Sequence, residues 1–112
     1  STMSLTEARF HDLVDATQEN LEDIFDDSDL DVDVENAAGI LTIKFESGKQ
    51  LIFSRQAPLL QLWLAAPSGG FHFDYDEKLS TWKCDKSDEL LCEMVERLTL
   101  EHAETKLDFD EI

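Results

Sequence analysis

Between Thr6 and Phe25 the residues Phe10, Leu13, Val14, Thr17, Leu21, Ile24 and Phe25 recur at i, i+3, i+4 and i+7 spacing. That period predicts an amphipathic helix, with Ser4 or Thr6 as its N-cap. The period then drops to two. Leu30, Val32 and Val34 alternate with Asp29, Asp31, Asp33 and Glu35, which predicts a strand with one wet face. Ala38-Gly39 reads as a turn, Ile40 to Phe45 as a second strand, and Glu46-Ser47-Gly48-Lys49 as a hairpin connection. Leu51 to Gln56 gives a third strand, interrupted at Pro58, and Leu60 to Ala65 a fourth. Pro67-Ser68-Gly69-Gly70 reads as a loop before strands over Phe71 to Tyr75 and Thr81 to Cys84. A closing helix is predicted from about Asp88 to His102, capped by Ser87, with Leu91, Met94, Val95, Leu98 and His102 as its buried stripe. In the tail, Leu107 and Phe109 alternate in a way that would tuck them against the helices.

This order, α-β-β-β-β-β-β-α, predicts an α+β two-layer sandwich. Two terminal helices would pack on one face of a mainly antiparallel sheet of five to six strands. The 112 residues suit one domain, expected over 3–112, with Ser1-Thr2 read as a cloning scar. Apolar residues make up 42%, enough for a packed core. No apolar run nears the roughly 20 residues of a membrane span. No signal or transit peptide is visible, and a cytoplasmic protein is expected.

Charge changes the picture. The 26 acids outnumber 9 bases, for a net charge of −17. This opposes nucleic acid and anionic membranes and favours cations or basic protein surfaces. Residues 4–35 hold 12 of the acids and one base, Arg9. Projected at about 100° per residue, Asp12, Asp15, Glu19, Glu22, Asp23 and Asp26 lie opposite the apolar stripe of the first helix. Like charges at i, i+4 and along a strand face destabilise a fold by a few tenths of a kcal/mol per pair. A solvated face would be served as well by mixing in lysines, so the concentration of carboxylates suggests a use. Two uses compete with the solvated face: weak, fast-exchanging binding of hard cations, and docking of a basic partner. Asp29, Asp31 and Asp33 have the spacing that opens a calcium loop, but Val34 stands at its glycine position and Ile40 at its twelfth.

In Arg55-Gln-Ala-Pro-Leu-Leu-Gln-Leu-Trp-Leu-Ala65, alternation sends Leu60, Leu62 and Leu64 inward and Gln61, Trp63 and Ala65 to the other face. A sheet face without helices would leave Trp63 exposed, and tryptophan is a favoured interface anchor.

The acidic helix running into an Asp-rich strand, the stretch from Gly39 to Ala65, the Gly-Gly loop, Thr81 to Ser87 and the closing helix together resemble the frataxin family in its short bacterial form. The segment from Gln56 through Pro58, Gln61, Trp63 and Leu64 is the most specific part of the likeness. The resemblance implies an accessory, regulatory role in iron–sulfur cluster assembly. It implies weak surface binding of iron, Fe2+ or Fe3+, with other divalent cations able to substitute. The implied metal ridge is Glu19, Glu22, Asp23, Asp26, Asp27, Asp29, Asp31 and Asp33. The implied docking residues for a cysteine desulfurase are Glu19, Asp23, Asp27, Asp29, Asp31 and Asp33. Arg55, Gln56, Gln61 and Trp63 form the implied sheet-face contact with a scaffold protein or the assembly complex. The protein is then a monomer, with iron-dependent oligomers conceivable. Where family members often carry Asn, this chain has Ser54.

No enzyme is expected: there is no Ser/His/Asp or Cys/His arrangement and no phosphate-cradling glycine loop. Cys84 and Cys92 read as reduced thiols without zinc spacing. His102 reads as a satisfied packing residue, His11 as a neighbour of the acidic ladder able to assist a metal, and His72 as a sheet-surface residue with no assigned role. A reading from another class is an acidic module that mimics nucleic acid and inhibits a basic partner. It accounts for the charge but not for an exposed Gln61/Trp63 face.

Overall fold

The computed structural model describes residues 5–112; the expectations for Ser1-Thr2 and for Ser4 as a cap fall outside them. Helix α1 spans Glu7–Asp27, and Thr6 caps it, its hydroxyl accepting the Arg9 N–H at 3.1 Å. Strands β1 (Val32–Ala37), β2 (Ile40–Phe45), β3 (Gln50–Gln56), β4 (Gln61–Ala66), β5 (Gly69–Asp76) and β6 (Thr81–Cys84) follow, then helix α2 (Leu91–Ala103). The strands form one antiparallel sheet in chain order, β1 to β6. Both helices cover the same face, giving the expected α+β sandwich.

Pairing registers assign every strand residue to a face. Val34 lies beside Ile43, Ile43 beside Leu51, Phe53 beside Leu64, Leu62 beside Phe73, and Phe73 beside Cys84. These residues form the floor of the core. Phe10, Val14, Leu21 and Phe25 descend from α1, and Leu91, Met94, Val95 and Leu98 from α2. Each fully buried aliphatic or aromatic side chain stabilises the fold by roughly 1.5–3 kcal/mol relative to exposure. Trp82 is buried with its ring 6.0 Å from Phe10, and its indole N–H donates to Thr17 Oγ1 at 3.0 Å. The tail does tuck in: Phe109 is buried 5.4 Å from Phe25, and the Ile112 carbonyl accepts the Thr81 hydroxyl at 3.0 Å.

Several local expectations are corrected. The first strand begins at Val32 rather than Asp29. Its start is set by its partner: Val32 pairs with Phe45, where β2 ends and the chain turns away. Before it, the Ser28 hydroxyl donates to the Phe25 carbonyl and accepts the Leu30 N–H, bending residues 28–30. Helix α2 starts at Leu91, not Asp88, because Asp88 has φ +61° and Leu90 bridges back to Lys83. Ser87 therefore caps only a turn, accepting the Glu89 N–H, and Glu93 accepts the Leu90 N–H at the true helix start. Gly69 and Gly70 are not loop but the first residues of β5, paired with Ala66 and Ala65 across a two-residue turn. Leu60 is not a strand residue; it takes a left-handed conformation that closes a 3-10 turn over Ala57–Leu59.

Candidate functional site

Two surfaces carry the expected functional residues. On α1, Asp12, Asp15, Glu19, Asp23, Asp26 and Asp27 are exposed, and Glu22 is half-buried. Glu19, Asp23 and Asp27 succeed one another at i, i+4, with Glu22 and Asp26 beside them. Asp26 and Asp27 end the helix, where its dipole is negative and no basic residue stands. The ridge turns through Asp29 and Asp31, exposed on the connection, and reaches Asp33 and Glu35 on β1. Only those last two lie on a strand, so the four-carboxylate strand face expected from alternation is halved. Asn36 spans the junction, donating to Glu22 Oε1 at 3.2 Å.

Among the described residues, no ion pair reaches Glu19, Glu22, Asp23, Asp26, Asp27, Asp29, Asp31 or Asp33. Nor do three His, Cys, Asp or Glu side chains converge on one point to hold a metal. Oxygen-only donors suit hard cations, and an open row of them offers contacts without a cage.

The second surface is the helix-free face of the sheet. Ser54, Trp63 and His72 lie in one row across β3, β4 and β5, and Gln56, Gln61, Asp74 and Lys83 in the next. Trp63 is half-buried, with its ring stacked on His72 at 4.3 Å between centroids and 17° between planes. Its N–H donates to Gln61 Oε1 at 3.1 Å, and Gln61 donates to Asp74 at 3.1 Å. At the far end of the same face Asp76 accepts the N–H groups of Leu79 and Lys78. The Leu79 bond leads in holding its carboxyl below the ordinary range.

Arg55 does not belong to this face. In strand register it lies beside Leu62, on the core side. Its guanidinium turns to α1, donating to Asp15 at 2.8 Å, Gln18 at 2.9 Å and His11 Nδ1 at 3.1 Å. Its side chain is 16% exposed. His11 is thus occupied by Arg55 on one nitrogen and stands 3.6 Å from Glu7 on the other. His102 packs as expected, its ring 6.3 Å from Phe45. Its buried Nε2, however, is not satisfied: Glu101 comes within 3.1 Å without the alignment of a hydrogen bond.

Sequence reading missed the grouping of His72, Asp74 and Asp85 around Trp63 and Gln61. The signal was the turn length. A two-residue turn at Pro67-Ser68 sets Trp63 opposite His72, whereas a four-residue loop would set it opposite Asp74. Among the described residues, no helix is long and apolar enough to cross a membrane.

Comparison with known proteins places the chain in a family. The family model for the frataxin-like domain matches residues 3–105. The iron-sulfur cluster assembly protein CyaY of Pseudomonas syringae pv. syringae is 74% identical over 110 residues, covering 98% of this chain and 100% of the relative. Its namesake in Pseudomonas putida strain W619 is 71% identical, with the same coverage of both chains. Among solved structures, frataxin from Psychromonas ingrahamii superposes with a TM-score of 0.87 at 30% identity, over 95% of this chain and 99% of its own. A trimeric frataxin of the yeast Saccharomyces cerevisiae, complexed with ferrous iron, shares the fold with a TM-score of 0.67 at 21% identity, over 94% and 92%. The chain belongs to the frataxin family, of the bacterial CyaY type.

Proposed function

We propose that this protein is an accessory protein of iron–sulfur cluster assembly. It holds iron weakly on the ridge from Glu19 to Asp33 and docks through that ridge on a basic surface of a cysteine desulfurase. The helix-free face, with Gln56, Gln61 and Trp63, meets a scaffold protein of the same complex. Bacterial relatives 70–74% identical carry the name of that pathway, which supports the setting. The single observation that carries the reading is the row of carboxylates from Glu19 to Asp33, none paired with a base among the described residues. Such a row is self-repelling until a cation or a basic partner arrives. On this reading the protein acts by binding rather than by catalysis.

An amide NMR titration of the labelled protein with a bacterial cysteine desulfurase, with and without Fe2+, tests this. Broadening along Glu19–Asp33 that changes with iron is expected. Replacing Asp23 and Asp27 by Lys should abolish binding, and salt should weaken binding of the unaltered protein. Undiminished binding by the charge-reversed protein in high salt would sink the proposal.

A further inference from the structure

Trp63 sits on an open sheet face, where an indole ordinarily has two soft torsions. Here it is held on several sides. His72, its cross-strand neighbour on β5, stacks flat against it at 4.3 Å. Gln61 takes its N–H, and Gln61 is itself steadied by Asp74 at 3.1 Å and, more weakly, by Asp85 at 3.5 Å. His72 is anchored in turn: its carbonyl accepts the Asp85 N–H at 2.9 Å, and its Nδ1 lies 3.9 Å from the Asp85 carboxylate. Across the other ladder Trp63 has only Ser54, a short side chain that offers no ring to stack. Among the described residues, His72 is the one ring packed on this indole.

We infer that His72 is a positioning residue for docking: it stacks on Trp63 and holds the indole in the orientation that the scaffold protein meets. The inference rests on reading the helix-free face as a docking surface. A side chain already ordered loses less entropy on binding, so the stack raises the affinity of the face without His72 itself having to touch the partner. Parallel ring stacking needs a flat side chain at position 72, which an aliphatic residue does not supply.

His72→Ala and His72→Phe separate the possibilities. In the free protein, the indole N–H resonance of Trp63 should shift and broaden in His72→Ala. That of Trp82, bonded to Thr17 in the core, should stay in place. Binding to a purified desulfurase–scaffold complex should weaken about three- to tenfold, the scale of one aromatic pair. His72→Phe, which keeps a ring to stack, should restore both. An unmoved Trp63 resonance in His72→Ala overturns the positioning role, as does failure of His72→Phe to restore it. A moved resonance with unaltered binding overturns its part in docking. Full binding by Trp63→Ala would instead overturn the docking face itself, while the indole resonance still decides what His72 does to Trp63.

Discussion

Arg55 Nη2 stands 2.8 Å from Asp15 Oδ1, and with Gln18 and His11 this contact ties the end of β3 to the flank of α1. Gln18 extends the tie by donating to the carbonyls of Gly39 and Phe53. Replacing Arg55 by Ala should cost on the order of 1–3 kcal/mol, mostly through the buried Gln18 carbonyl left without a donor. Asp15 is largely in water and adds little. Thermal melting should fall by several degrees, and Arg55→Lys should recover only part of the loss. An unchanged melting temperature would mean that Arg55 is not a strut.

Thr17 and Trp82 are both buried, and among the described residues the Thr17 hydroxyl, at 3.0 Å, is the only acceptor of the indole N–H. Thr17→Val keeps the shape and orphans that donor, so urea unfolding should show a loss of about 1–3 kcal/mol. Thr17→Ser retains the hydroxyl and should lose roughly 1 kcal/mol, for one methyl.

On the ridge, Asp23 has Glu19 four residues before it, and Asp26 and Asp27 three and four after. Asp23→Asn relieves three repulsions and should stabilise the fold by about 1 kcal/mol at low salt. The gain should shrink in high salt or in millimolar divalent cation, both of which screen the ridge in the unaltered protein. A destabilised Asp23→Asn would contradict this account of the helix.

Asp76 holds the turn between β5 and β6, and its carboxyl is held below the ordinary aspartate range, chiefly by the Leu79 N–H bond. A depressed carboxylate contributes stability above its unfolded pKa, lost as pH falls through the folded one. The amide resonances of Lys78 and Leu79 should therefore hold steady at neutral pH and move together below about pH 4. In Asp76→Asn that step should vanish while the turn remains.

Much of this architecture was legible in the sequence because burial has a period. Ile40 to Phe45 and Thr81 to Cys84 match their strands residue for residue, since their apolar alternation meets no competing signal. What misled were places where a local rule met a tertiary one. Ser87 is a good cap by type, but Leu90 is drawn into a bridge with Lys83. Asp29 and Asp31 continue an alternation for which the sheet supplies no partner beyond Phe45. Arg55 stands next to Gln56 in the motif, but the strand period sends it to the core side. The carboxylates of the ridge were readable because exposure on a helix needs no partner. The stack on Trp63 was not, because it depends on the length of a turn.

Each strand of this sheet lies beside its neighbour in the chain. The hairpins close short loops, so the sheet can zip up at little entropic expense. The exception is α1, which reaches far along the chain: Phe10 and Thr17 meet Trp82 on β6, and Phe25 packs against Phe109 in the tail. The longest loop closures in this fold are thus gathered into the docking of α1 on a sheet that its own hairpins can build first. Refolding should show it as the step that limits the rate.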